Sequence, residues 1–259
     1  MSDIESSLAD GVLRLTINRE DKRNALSADV MRGLFGAVRD ASTNEAVKVV
    51  LIGSAGERIF CAGADLAVMA EDSTGLEQHE GRGTLAKLVV AMRECPVPVV
   101  ARVQGLCLAG GIGLATGCDV VLARESAAFG LPEVDRGLWP FMVSALLARH
   151  VSPKHAMDRM LMGDRFDAAT ACQMGIVSRV FPDATFDADV EEYVAKLAAS
   201  PPVAVRLGKA AWITATESPS LPVALEAMQA QLSLLTTTKD AAEGIAAFFE
   251  KRQPNWTGR

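Results

Sequence analysis

Short apolar runs, each followed by small or polar residues, dominate the first half of the chain. From Leu13 to Ile17 apolar and polar side chains alternate, which predicts a strand with one buried face. Mainly apolar runs at 47–52 and 97–103, each interrupted by one charged residue, are rich in β-branched residues and predict buried strands. A strand that ends in small residues is predicted within 59–66, and shorter strands are predicted at 119–123 and 127–129.

Helical spacing of apolar residues appears between these runs and throughout the last third of the chain. Ser27 has the residue type of an N-cap and precedes Val30, Leu34 and Val38 at intervals of four, which predicts a helix. Residues 71–83 are polar and rich in glycine, which predicts a loop before a helix at 84–94. Further helices are predicted at 155–162, 186–199, 203–217, 221–235 and 239–251. The pattern predicts an α/β fold, with a mixed region at 1–185 and a helical region at 186–259.

A glycine-rich corner at 104–119 directly follows the predicted strand at 97–103. Ala109, Gly110 and Gly113 remove side-chain bulk where the strand must turn into a helix. The N-terminus of a helix carries unpaired N–H groups and a partial positive charge, so this corner can hold a phosphate or a developing oxyanion. Close helix packing is the alternative, and it is the more frequent reason for an isolated glycine-rich turn.

Composition narrows the function further. The 259 residues are 49% hydrophobic and 22% charged, which is typical of a globular protein, and a net charge of −6 argues against nucleic acid as a partner. No apolar run is long enough to span a membrane. The five cysteines and three histidines show no metal-ligand spacing, so we expect no metal site. Free cysteines and a polar N-terminus without a targeting pattern predict a cytoplasmic protein.

Five fragments in one order carry a resemblance to a known family. They are Arg-Asn-Ala-Leu at 23–26, Phe-Cys-Ala-Gly-Ala-Asp-Leu at 60–66, the glycine-rich corner, Phe-Gly-Leu-Pro-Glu-Val at 129–134, and residues 243–252 near the C-terminus. Together they resemble the enoyl-CoA hydratase/isomerase (crotonase) family over nearly the whole chain. The resemblance implies a spiral of ββα repeats, followed by C-terminal helices that assemble homotrimers or hexamers (dimers of trimers). It also implies an acyl-CoA thioester as substrate, with no prosthetic group.

By the same resemblance, the backbone N–H groups of Ala64 and Gly110 stabilise an enolate oxygen, and Glu133 moves protons. The thioester oxygen must lie about 3 Å from both amides, which explains why both residues are small. Without the resemblance, Ala64 would be a residue of a tight turn, and Glu133 a surface or ion-paired carboxylate.

The resemblance also assigns contacts to coenzyme A, and for several of these residues other roles stay open. Asp65 is better explained as a carboxylate that ties its loop than as a base. Arg23 either reaches the CoA phosphates or belongs to a solvated turn. Phe248 and Lys251 approach CoA, often from a neighbouring subunit, unless they serve packing or solvation. The full set of predicted contacts is Arg23, Ala25, Ala62, Ala64, Asp65, Leu66, Ala67, Gly110, Phe248 and Lys251. Members of the family often carry lysine where this chain has Ala67.

One departure from the family pattern bears on the reaction. Hydratases of the family carry two glutamates, but Gly113 occupies the place of the first and only Glu133 is kept. Hydration needs a water held between two groups, whereas a single base can isomerise a 3-enoyl to a 2-enoyl thioester. Isomerisation is therefore favoured, and the space at Gly113 is expected to admit a bulkier or polar acyl group. The alternatives are a hydratase with a substitute carboxylate from Asp135 or the 71–80 segment, a thioester hydrolase or other lyase, and a catalytically weak acyl-CoA binder.

Overall fold

The computed structural model describes residues 3–65 and 74–259. Within these ranges the strands are β1 (Ile4–Ala9), β2 (Val12–Ile17), β3 (Val49–Ser54), β4 (Ile59–Cys61), β5 (Val99–Val103), β6 (Leu106–Leu108), β7 (Val120–Arg124), β8 (Ala128–Gly130), β9 (Arg165–Asp167) and β10 (Arg179–Phe181). The helices are α1 (Ala28–Ala41), α2 (Gly75–Glu94), α3 (Gly110–Thr116), α4 (Phe141–His150), α5 (Pro153–Met162), α6 (Ala168–Gln173), α7 (Phe186–Ala198), α8 (Pro202–Glu217), α9 (Leu221–Leu235) and α10 (Lys239–Glu250).

The strands form two sheets, and the chain alternates between them. The larger sheet has the order β1-β2-β3-β5-β7-β10 and is parallel except for the β1–β2 hairpin. The smaller sheet has the order β4-β6-β8-β9, in which the first three strands are parallel. Each of the pairs β3–β4, β5–β6 and β7–β8 supplies one strand to each sheet and is followed along the chain by a helix. The predicted ββα repeats with helices at the C-terminal end are therefore confirmed.

Burial on both faces explains the apolar runs of the larger sheet. Every residue of β3 is buried. One face of the sheet belongs to the main core, and the other packs against Phe186, Val190 and Val194 of α7. The guanidinium groups of Arg102 and Arg124 lie 5.0 and 5.1 Å from the centre of the Phe186 ring. This packing joins α7 to the core, while the division of the chain at residues 185 and 186 stays a prediction.

Several predicted elements agree with the structure, and one is wrong. Ser27 caps α1 by accepting a hydrogen bond from Val30 N–H, as expected. The loop expected up to residue 83 is wrong from Gly75 onward, because α2 begins there. A Cβ atom added to the glycine at 75, 81 or 83 would meet no atom within 4 Å. This end of α2 is polar and rich in glycine, so it lacks the apolar stripe that signals a helix. Packing of Leu88 and Met92 in the core supports the helix from its other end.

Candidate active site

Three parallel strands of the smaller sheet end at the same edge, and a predicted site segment follows each of them. Residues 62–64 follow β4, residues 109–110 follow β6, and residues 131–133 follow β8. The N–H of Ala109 donates to the carbonyl of Gly130 at 2.9 Å and ties the second strand end to the third. Since the carboxyl ends of neighbouring parallel strands lie side by side, the fold brings the three segments to one corner.

The backbone N–H groups of Ala64 and Gly110 are close together in this corner. A Cβ atom placed on Gly110 would lie 3.5 Å from the nitrogen of Ala64. Leu26 pairs with Ala64 in a parallel bridge, in which Leu26 N–H donates to Gly63 (2.8 Å) and Asp65 N–H donates to Leu26 (3.1 Å). This pattern directs the Ala64 N–H away from Leu26. Within the described residues neither N–H has a protein acceptor, so both can donate to one ligand atom.

The backbone on both sides of this pair is tightly constrained. Gly63 has φ +100°, and a Cβ atom there would lie 2.7 Å from the Cβ of Ala109, so only glycine fits. Ala109 itself has φ +53°, an uncommon value for a residue with a side chain. It directly precedes the Gly110 amide. Backbone strain of this kind is concentrated at ligand-binding and catalytic positions.

Arg19 anchors the segment that carries Ala64. Its guanidinium donates to the carbonyl of Ala25 at 2.7 Å, pairs with Asp65 at 3.0 Å and pairs with Asp3 at 3.1 Å. Asp65 is therefore engaged in a structural ion pair, in agreement with the loop-tying role considered above. Nothing in the sequence distinguishes Arg19 from the other charged residues of its turn, because Asp65 is 46 positions further along the chain.

The other predicted CoA contacts of this region lie beside the same corner. Arg23 is exposed with φ +55°, and its carbonyl accepts a hydrogen bond from Ala62 N–H at 3.2 Å. Ala25 is buried, and its carbonyl is held by Arg19. Leu66 and Ala67 lie outside the described residues.

Glu133 presents a half-buried carboxyl group after β8. Its Oε2 atom is buried and has no hydrogen-bond partner in the described part of the chain. Burial raises the pKa of this carboxyl above the ordinary glutamate value, and the nearby charge of Arg136 only partly opposes the effect. A carboxyl with a raised pKa and an unpaired oxygen is suited to accepting and returning a proton.

The packing around Gly113 of α3 contradicts the expectation of open space beside this residue. A Cβ atom on Gly113 would lie 3.1 Å from Cγ2 of Val143 and 3.6 Å from Cδ2 of Leu85. Gly113, Val143 and Leu85 are all buried. The expected space for a bulkier or polar acyl group at Gly113 is therefore wrong, because apolar side chains of α4 and α2 already occupy it.

No substitute for the missing carboxylate is seen among the described side chains considered. The carboxylate of Asp135 faces the turn after α5, since a Cβ atom on Gly163 would lie 3.3 Å from its Oδ1. The remaining acidic candidates, Glu71 and Asp72 together with the side chains of Glu77 and Glu80, lie outside the described residues.

The last helix carries the remaining predicted contacts. Phe248 of α10 is 78% exposed, and Lys251 ends the helix with φ +54°. Buried Asp240 fastens α10 to the C-terminal tail by accepting hydrogen bonds from the N–H groups of Thr257 and Gly258. These contacts fix α10 to the C-terminal tail of the same chain, and the roles of Phe248 and Lys251 toward CoA stay predictions.

The described residues contain no group of three or more histidine, cysteine, aspartate or glutamate side chains placed to hold a metal ion. None of the helices in these ranges is both long enough and apolar enough to cross a membrane.

Comparison with known proteins gives a consistent result. The family model described as enoyl-CoA hydratase/isomerase matches residues 7–259. The chain is 37% identical, over the full length of both chains, to the 2,3-dehydroadipyl-CoA hydratase of Escherichia coli (strain K12). It is 32% identical to the human mitochondrial enoyl-CoA hydratase domain-containing protein 3, covering 96% of this chain and 81% of the relative. The crystal structure of an enoyl-CoA hydratase from Mycobacterium smegmatis superimposes with a TM-score of 0.93 at 30% identity, covering 98% of each chain.

Proposed function

Since this chain belongs to the enoyl-CoA hydratase/isomerase family, also called the crotonase family, we propose that it moves the double bond of an enoyl-CoA thioester with Glu133 as its proton-transfer group. The observation that carries the proposal is the pairing of the Ala64 and Gly110 amides, which have no acceptor among the described residues, at the strand edge that Glu133 also follows. Glu133 contributes a buried Oε2 atom that has no hydrogen-bond partner in the same described ranges. The amides bind the thioester oxygen, and the carboxylate acts on C2, the carbon next to the thioester carbonyl.

The proposed reaction needs one base and one oxyanion site. The Glu133 carboxylate removes a proton from C2 of a 3-enoyl thioester, and the electron pair forms a dienolate with its negative charge on the thioester oxygen. The N–H groups of Ala64 and Gly110 stabilise that charge more strongly than the neutral carbonyl, which lowers the barrier. Protonated Glu133 then delivers its proton to C4, which leaves the double bond between C2 and C3.

Isomerisation is favoured over hydration because, among the described residues, Glu133 is the only candidate acid–base carboxylate that follows this strand edge. Addition of water requires a group that holds and activates the water as well as a group that protonates carbon. The surroundings of Gly113 supply methyl groups of Val143 and Leu85 instead of a carboxylate. A second candidate function is hydration with Glu133 alone or with a carboxylate from outside the described residues. The likeness to the 37% identical relative from Escherichia coli, a 2,3-dehydroadipyl-CoA hydratase, favours this candidate.

A paired assay separates the candidates. The purified protein is incubated with 2-enoyl-CoA and 3-enoyl-CoA of equal chain length, and the products are separated by liquid chromatography, which resolves the two isomers, before mass spectrometry. We expect interconversion without a change in mass. A gain of one water would support the hydratase, free coenzyme A would support a thioester hydrolase, and binding without conversion would support a non-catalytic acyl-CoA protein. Each of these last three results would overturn the isomerase proposal.

The rate should depend on pH in a direction set by Glu133. The carboxylate must be ionised to accept the C2 proton, and burial raises its pKa above the ordinary value of 4.5. As the pH falls through that raised pKa, kcat/KM should therefore fall. The midpoint of this fall should lie at a higher pH than it would for an exposed glutamate. Measuring kcat/KM from about pH 4 to about pH 8 tests this. An acid limb centred at or below 4.5 would contradict the role of the buried carboxyl.

We also propose that the C-terminal helices assemble a homotrimer or a dimer of trimers. Large apolar side chains of α8, α9 and α10 are exposed in the single chain: Trp212, Leu221, Val223, Leu225, Leu232, Leu234, Ile245, Phe248 and Phe249. Exposed apolar side chains of this number and size are typical of a protein interface. Light scattering at micromolar concentration should give three or six times the chain mass. Phe249→Glu should reduce the mass, whereas Leu8→Glu on exposed strand β1 should not, and a stable wild-type monomer would contradict the assembly.

A further inference from the structure

The helix that begins at the Gly110 amide is enclosed by apolar side chains one turn later. Gly113 is three residues beyond Gly110, about 4.5 Å along the axis of α3. Val143 of α4 reaches to 3.1 Å from the missing Cβ of Gly113, and Leu85 of α2 reaches to 3.6 Å. Just beyond α3, the missing Cβ of Gly117 is met by Met92 in the same way. The apolar contact therefore continues along the helix.

The side chains that contact Gly113 give a water molecule no hydrogen-bond partner. A bound water needs two to four polar partners, and the methyl groups of Val143 and Leu85 provide none. Both side chains are buried, with 3% and 6% exposure, so the contact is closely packed. We infer that Val143, supported by Leu85, is a specificity-determining residue that excludes water from the side of the acyl group nearest Gly113, so that the 2-enoyl product leaves without addition of water to its C3. The inference rests on the proposed function, because it concerns the fate of the product of that reaction.

The same geometry explains why a carboxylate alone would not restore hydration. In Gly113→Glu the first side-chain atom already lies closer to Val143 than ordinary van der Waals contact allows. Shortening Val143 to alanine removes the Cγ2 atom that causes this contact. In the double variant, the hydration rate should therefore rise by a larger factor than the product of the factors found for the two single variants.

The test measures the partition of product in five variants of the full chain, one of which, Gly113→Glu alone, supplies the single effect with which the double variant is compared. Val143→Ala opens the wall, Val143→Thr keeps its volume and adds a hydroxyl group, and Gly113→Glu/Val143→Ala adds a carboxylate in the opened space. Leu147→Ala, one turn further along α4 and also fully buried, controls for loosening of the core. The assay in ¹⁸O-labelled water counts water addition per isomerisation event, a ratio that the folded fraction of the protein does not change.

We expect the ratio to rise about 10-fold in Val143→Ala and Val143→Thr, and about 10²-fold or more in the double variant, as suits a restored proton-transfer group. Leu147→Ala should leave the ratio unchanged. A ratio equal to wild type in all three Val143 variants, or a wild-type protein that already hydrates rapidly, would overturn the inference. Conversion of 3-enoyl-CoA to 2-enoyl-CoA by the wild type is followed in parallel by chromatography: its absence would instead refute the proposed function itself.

Discussion

Glu133→Gln should lower the rate of isomerisation by about 10²–10⁴-fold, the usual cost of losing a proton-transfer group. The amide side chain has nearly the same shape as the carboxyl but cannot accept the C2 proton. Affinity for a saturated acyl-CoA should change little, because the thioester oxygen is bound by the Ala64 and Gly110 amides. Steady-state kinetics on a 3-enoyl-CoA and calorimetry with the saturated thioester measure the two quantities. Wild-type turnover in the variant would refute the assignment of Glu133.

The stability of this variant provides an internal control. In the unfolded chain Glu133 ionises at its ordinary pKa, whereas burial raises the pKa in the folded protein. At a pH above the ordinary pKa, the ionised and buried carboxylate therefore lowers the free energy of unfolding. At a pH below it, the carboxyl is protonated in both the folded and the unfolded state, and this destabilisation disappears. Glu133→Gln should unfold at a higher temperature than wild type at pH 7, and this difference should shrink as the pH falls toward 4.5. A variant that is inactive because it is misfolded would unfold at a lower temperature instead.

Gly110→Ala should lower kcat/KM by about 10²–10³-fold, as expected when one donor of an oxyanion site is blocked. The new methyl carbon would lie 3.5 Å from the Ala64 nitrogen, in the space where the thioester oxygen must accept its hydrogen bonds. Its other neighbours, the Cα of Gly63 and a methyl group of Leu26, are both 3.7 Å away, so the fold has room for the methyl group. Gly110→Val should be at least as damaging. Initial rates at low substrate concentration give kcat/KM directly.

Gly36→Ala is the matched control for this change. Gly36 lies within α1, and a Cβ atom there meets no atom within 4 Å. The substitution should leave kcat/KM unchanged and stabilise the protein by about 0.5–1 kcal/mol, because alanine is the better helix former. If Gly110→Ala kept wild-type kcat/KM with a normal melting temperature, the oxyanion site would have to lie elsewhere.

The three segments of the site could be predicted from the sequence because each consists of adjacent residues with a local signature. Small residues follow β4 and β6, and a Pro-Glu pair follows β8, so each segment is visible without knowledge of its neighbours. The family resemblance that these signatures carry also implied the repeated ββα fold, whereas the apolar pattern alone predicted only an α/β fold. Helix α1 and the C-terminal helices were predictable for the same reason, since a cap or a regular apolar spacing is a property of consecutive residues.

The tertiary structure decided what depends on residues far apart in the chain. The sequence determined that position 113 has no side chain, but only the fold brings Val143 and Leu85 into the space beside it. In the same way, the pairing of Arg19 with Asp65 and the unpaired, buried Oε2 of Glu133 arise from packing between separate elements. Hydrophobic burial is non-directional, so the sequence pattern predicts which residues are buried but not which of them touch. The sequence thus determined which carboxyl is the candidate acid–base group, Glu133, whereas the packing of α2 and α4 around α3 determined what surrounds Gly113.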